Sequence, residues 1–88
     1  MADAKALEVT ILNQKGVVFS GVCQVLFVPI KNKDELAILP YHTPLISLLG
    51  IGEVSIVTDG NKKMVSKTMG GVIYTSENKA SVLITDQS

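Results

Sequence analysis

The chain has 88 residues, 47% hydrophobic and 18% charged, a length that predicts a single domain over 1–88 with a modest core. Eight basic residues balance eight acidic ones, and every cation is a scattered lysine. With no basic stripe to neutralise phosphates and no arginine fork, the composition argues against a nucleic-acid partner.

The elements read as short strands separated by turns. The opening MADAKALEV has no apolar signal-peptide core. Residues 7–11 alternate apolar and polar, the pattern of a half-buried strand. A second strand is expected over 17–20, started after Gly16 and ended by Gly21. Residues 23–30 are rich in Val, Leu and Phe, as a strand covered on both faces would be. The single cysteine, Cys23, lies in that run; it excludes an internal disulfide and reads as a small buried hydrophobe.

Lys31, Asn32, Lys33 and Asp34 form a polar loop, and residues 36–39 a short strand stopped by Pro40. Next comes LPYHTPLISLLG, in which the only histidine, His42, stands between two prolines. Thr43 could cap a short helix with Pro44 at its first position. The preferred reading is a further strand over 45–49, because every neighbouring element is a strand. The uncharged run 36–52 spans about 17 residues, short of the roughly 20 a membrane-crossing helix needs, and prolines and glycines interrupt it.

Residues 53–58 alternate again. Asp59-Gly60 then supplies a hairpin turn with positive φ at both central positions, so that 62–69 pairs back. Gly70-Gly71 allows a sharp turn or a close backbone approach. Residues 72–75 and 80–85 form a second hairpin around Glu77-Asn78. Together these predict an all-β fold, a flattened β-sandwich or barrel of about eight to ten short strands.

Chemistry finds little support in the residue set. Hydrolysis needs a nucleophile, a base and an orienting group, and His42 stands alone as a conventional base. Zinc takes several His or Cys ligands, and the chain offers one of each. Gly70-Gly71 lacks the spacing and the lysine of a phosphate loop. Tyr41 and Tyr74 make no base-stacking platform. No catalytic residue, metal or cofactor is expected. His42 instead reads as the polar tip or the internal brace of a turn that Pro40 and Pro44 stiffen: it hydrogen-bonds backbone groups near two residues lacking amide protons, or points outward to a protein contact. Asp34 and Glu35 read as solvated acids able to supply charge complementarity at an interface.

One stretch carries a resemblance. Glu35-Leu36-Ala37-Ile38-Leu39-Pro40-Tyr41-His42-Thr43-Pro44-Leu45 resembles the Gly-Glu-Leu-Gly-Ile-x-Pro-x-His-x-Pro-Leu pattern of the epsilon subunit of the rotary F-type ATP synthase, called delta in mitochondria. Phe19-Ser20-Gly21, Gly50-Ile51-Gly52, Gly70-Gly71 and the closing Val82-Leu83-Ile84-Thr85-Asp86 agree with that family too. The pattern's two glycines are Asp34 and Ala37 here, and Tyr41 stands where relatives often carry a small or polar residue. Family members usually continue into a C-terminal helical hairpin that can inhibit ATP hydrolysis or take part in ATP binding. The 88 residues match the β-sandwich alone, and the expected fold lacks that hairpin.

The resemblance implies a non-catalytic rotor subunit of the central stalk, without cofactors. It would link the gamma subunit to the polar loops of the c-ring and help couple proton transport to ATP synthesis. It would lie peripherally on the cytoplasmic face of the bacterial inner membrane, without inserting into it. Carried over by position, Lys31, Asn32, Lys33, Asp34, Glu35 and His42 would face the c-ring, and Thr43, Leu45 and Ser47 the gamma subunit. Without the resemblance, the same residues allow a free-standing β-sandwich adaptor module.

Overall fold

The computed structural model describes residues 6–85. Residues 1–5, with Lys5, and 86–88, with Asp86 of the expected closing strand, lie outside the described residues. Within them every regular element is a strand: β1 Leu7–Asn13, β2 Gly16–Cys23, β3 Val25–Pro29, β4 Glu35–Ile38, β5 Leu45–Leu49, β6 Gly52–Thr58, β7 Asn61–Thr68, β8 Gly70–Ser76 and β9 Lys79–Thr85. They form a five-stranded sheet in the order β2-β1-β9-β8-β5 and a four-stranded sheet in the order β4-β3-β6-β7.

Period-two patterning builds the core. Leu7, Val9 and Ile11 of β1 face Ala80, Val82 and Ile84 of the parallel strand β9, and these meet Leu26 and Val28 of β3 and Val54 and Ile56 of β6. Each fully buried Val, Leu or Ile contributes about 1.5–3 kcal/mol. Of the two readings of 43–49, the strand is the one formed, and β5 pairs antiparallel with β8. Leu45, Ser47 and Leu49 turn inward while Ile46 and Leu48 are exposed, the strict alternation of a strand rather than the spacing of a helix.

Both hairpins are as the turn chemistry dictates. Asp59 and Gly60 have φ of 52° and 79°, and Glu77 and Asn78 of 51° and 62°. Gly21 does not end β2; it pairs with Val9 inside the strand. A side chain there would meet the Phe19 ring at 3.3 Å, so the missing Cβ gives that ring room beside the core. Glu35 is not part of the loop but opens β4, where its carboxylate lies 3.5 Å from Lys62 Nζ. The two positions where the family pattern has glycine, Asp34 and Ala37, are not among the residues with positive φ, and Ala37 pairs regularly with Phe27. Neither position requires glycine for its backbone.

Cys23 is buried at the end of β2, and burial pushes its thiol up to about 11. The sign follows from linkage: folding holds the thiol neutral, so its contribution is complete below the unfolded thiol's pKa and disappears as pH rises toward 11. Chemical denaturation from pH 8 to 11 should show stability falling above about pH 9, with a shallower fall in Cys23→Ala. The native thiol should resist alkylation until the protein unfolds.

Candidate interaction surface

Strand direction sorts the loops into two ends. One end carries the β1–β2 turn, residues 30–34, residues 50–51 and the β7–β8 crossing. The other carries residues 39–44 and the β6–β7 and β8–β9 turns. Lys31, Asn32, Lys33, Asp34 and Glu35 therefore lie at one end of β4 and His42 beyond the other. The four residues of β4 separate them by about 13 Å of strand. The structure groups the four loop residues with Glu35, the first residue of β4, and sets His42 apart.

Leu45 and Ser47 join the loop group instead. With Ile30, Lys33, Asp34, Glu35 and Leu36 they line an open seam between the edge strands β4 and β5. That seam closes only at the loop end, where Ile30 bridges Leu49, Lys31 N–H donates to Leu48 O (3.1 Å) and Gly50 N–H to Pro29 O (2.9 Å). Thr43 lies at the opposite end, where its carbonyl accepts from Thr75 Oγ1 at 3.4 Å.

His42 is a brace. Its backbone N–H donates to Leu39 O (3.1 Å), and Nδ1 lies 2.7 Å from Thr43 O. A carbonyl can only accept, so the proton is on Nδ1 and this tautomer leaves Nε2 as the free acceptor. Among the described residues no group of three His, Cys, Asp or Glu side chains could hold a metal ion. Glu35 and Lys62 are both about half exposed, and Lys62 also sits 4.2 Å above the Phe27 ring. An exposed pair of this kind contributes at most about 1 kcal/mol.

The 47% hydrophobic composition and the apolar run 45–49 imply an apolar patch on the surface, and strand pairing shows its extent. On the outer face of the five-stranded sheet, Leu12 pairs with Leu83, Leu83 with Val72, and Val72 with Leu48. This is one apolar row across four strands. Beside it lie Ile46 and Tyr74, also paired with each other. Ile46 is 71% exposed, Leu48 57%, Tyr74 52% and Leu83 51%. On β5 the inward residues are Leu45 and Ser47, so Ile46 and Leu48 present its outer face. Glu8 and Lys79, 3.9 Å apart, mark the polar end of the same face. A contiguous apolar patch on a small domain marks a contact site for another protein. The signal was present in β5, where LISLL has large apolar residues on both faces.

A family model, the β-sandwich domain of the ATP synthase delta/epsilon chain, matches residues 6–87. The chain is 32% identical over 81 residues to the ATP synthase epsilon chain of Leptospira interrogans, covering 92% of this chain and 62% of that one. It is 31% identical over 83 residues to the epsilon chain of Pediococcus pentosaceus, covering 94% and 59%. It thus spans about three-fifths of the length of these curated relatives. Among solved structures, the fold is similar to a chain of the Euglena gracilis mitochondrial ATP synthase, with a TM-score of 0.80 at 15% identity, over 96% of this chain and 52% of that chain. A chain from the central stalk and c-ring structure of the Tetrahymena thermophila mitochondrial enzyme gives 0.69 at 19% identity, over 90% and 63%.

Proposed function

Because the chain belongs to the ATP synthase delta/epsilon β-sandwich family, we propose that it is a non-catalytic rotor subunit of an F-type ATP synthase. In this reading it joins the gamma subunit to the c-ring and helps couple proton transport to ATP synthesis. It works peripherally, at the cytoplasmic face of the bacterial plasma membrane. The apolar row Leu12-Leu83-Val72-Leu48 is the observation that carries the reading. A rotor subunit must grip its neighbour through many rotations, and desolvated apolar contact supplies most of such a grip. Gamma docks on this row and on the outer face of β5, with Ile46 and Leu48 as its anchors, while Leu45 and Ser47, on the inward face of the same strand, line the seam beside β4. A free-standing adaptor has no observation of its own in its favour.

The c-ring contact follows the β4 edge. Lys31, Asn32, Lys33, Asp34 and Glu35 meet the polar c-ring loops at one end, and His42 reaches them at the other. A partner touching both ends lies along β4, and charge complementarity sets its register. The decisive experiment for the function is a titration of the purified chain with the gamma subunit of the same complex. One-to-one binding with a negative heat-capacity change is expected, and a folded chain that ignores gamma would overturn the proposal. For the second contact, Glu35→Ala and His42→Ala should each weaken co-sedimentation of the chain–gamma complex with c-ring by about threefold to tenfold. Removing the exposed Glu35–Lys62 pair should move fold stability by less than about 1 kcal/mol, so any loss of c-ring binding reports the contact itself.

A further inference from the structure

Asn78 is the second residue of the β8–β9 turn, with φ of +62°. That turn needs only its backbone, yet both ends of the side-chain amide are engaged elsewhere. Its Nδ2 donates to Ala6 O at 2.7 Å, and its Oδ1 accepts from Tyr41 N–H at 2.8 Å. Its own carbonyl accepts from Glu8 N–H at 3.2 Å. One amide group therefore ties together the entrance of β1, the β8–β9 hairpin and the turn between β4 and β5. These partners are 72 and 37 residues away in sequence. The amide's orientation is fixed by the network, because Ala6 O can only accept and Tyr41 N–H can only donate.

Tyr41 is where the link matters. Its φ is +61°, a left-handed conformation that a bulky residue rarely holds. Its side chain is 67% exposed, so packing does not hold it there. What holds this turn is polar: Asn78 on Tyr41 N–H, Leu39 O on His42 N–H, and Thr43 O between His42 Nδ1 and Thr75 Oγ1. The turn runs directly into β5, whose outer face carries Ile46 and Leu48.

We propose that Asn78 is a positioning residue: its amide locks the Pro40–Pro44 turn to the β8–β9 hairpin and so presets Tyr41, His42 and the start of β5 for docking. The docking role rests on the rotor-subunit reading; the lock itself does not. An ordered turn lowers the entropic cost of binding. A positioning residue acts through that cost without itself touching the partner.

The test compares two variants. Asn78→Gly keeps the positive φ of the hairpin and removes both side-chain bonds. Asn78→Asp keeps the Oδ1 acceptor for Tyr41 and sets an oxygen in place of the donor against Ala6 O. In Asn78→Gly, hydrogen exchange at the Tyr41 amide should accelerate about fivefold to tenfold, the size expected for one net hydrogen bond. Core amides such as Val82 should be unchanged, and affinity for the gamma subunit should fall by a similar factor. Asn78→Asp, with one of the two bonds lost to an oxygen–oxygen contact, should fall between Asn78→Gly and the wild type in both readouts. In the wild-type protein, a scalar coupling through the hydrogen bond should connect the Tyr41 amide nitrogen to the Asn78 side-chain carbonyl carbon, a measurement that needs no variant. Unchanged Tyr41 exchange in Asn78→Gly, or no such coupling, would each overturn the lock. Failure of the wild-type chain to bind gamma would remove the docking role and leave the exchange and coupling results standing.

Discussion

Gly71→Ala should lower the stability of the folded chain by about 3–5 kcal/mol. Gly71 lies inside the five-stranded sheet, paired with Leu49 on one side and Ile84 on the other. Its φ is +134°, and a Cβ built there would stand 2.0 Å from Leu83 O and 3.0 Å from Ile84 Cα. Two costs combine. The conformation alone costs an L-residue about 1–3 kcal/mol. The contact is with backbone, so relief requires β8 and β9 to separate, which breaks ladder hydrogen bonds. Domains of this size have only about 5–15 kcal/mol to lose. Thermal unfolding should show a midpoint lowered by about 15 °C or more. Gly16→Ala is the control that separates the terms: Gly16 has φ of +131° with nothing within 4 Å of the added atom. It should cost only the conformational part. Equal losses in the two variants would show that the close approach at Gly71 is not what demands glycine.

The second large effect concerns binding. Replacing Ile46 and Leu48 together by glutamate should weaken gamma binding by at least about 100-fold, since anchor residues in a desolvated contact each carry about 2 kcal/mol or more. Folding should change little, because the two side chains are 71% and 57% exposed and leave the core intact. Met64→Glu on β7 of the other sheet, at a residue 45% exposed, should leave binding unaltered. The pair of variants, read by calorimetric titration beside a denaturation curve, separates loss of the contact from loss of the fold. An unchanged titration in the double variant would remove the outer face of β5 from the interface.

The strands were legible because period-two alternation and the Asp59-Gly60 turn are local signals. The turn stiffened by Pro40 and Pro44 was legible too, but the direction of the His42 side chain was not; it shows only in the contact of its Nδ1 with Thr43 O. Other features depend on register, which no local pattern encodes. Gly21 looked like a strand end, yet it sits inside β2 because the Phe19 ring fills the space beside it. Leu12, Val72 and Leu83 each adjoin a core residue in sequence, so they mark apolar side chains on the second face without saying how the strands align. Only pairing across β1, β9, β8 and β5 lines them up with Leu48. Asn78 read as a turn residue, and its bonds to Ala6 and Tyr41 exist only once the chain ends of three elements converge. The separation of His42 from residues 31–35 was implicit in the strand expected over 36–39, which β4 realises and which sets the two at its opposite ends.

The central claim is that the outer face of the five-stranded sheet is the rotor-docking surface. Methyl-labelled protein titrated with the gamma subunit tests it most directly. The account predicts that the methyl signals of Leu12, Ile46, Leu48, Val72 and Leu83 shift or broaden together while that of Met64 stays in place. Perturbations centred on Met64 and the four-stranded sheet, or none at saturating gamma, would contradict it.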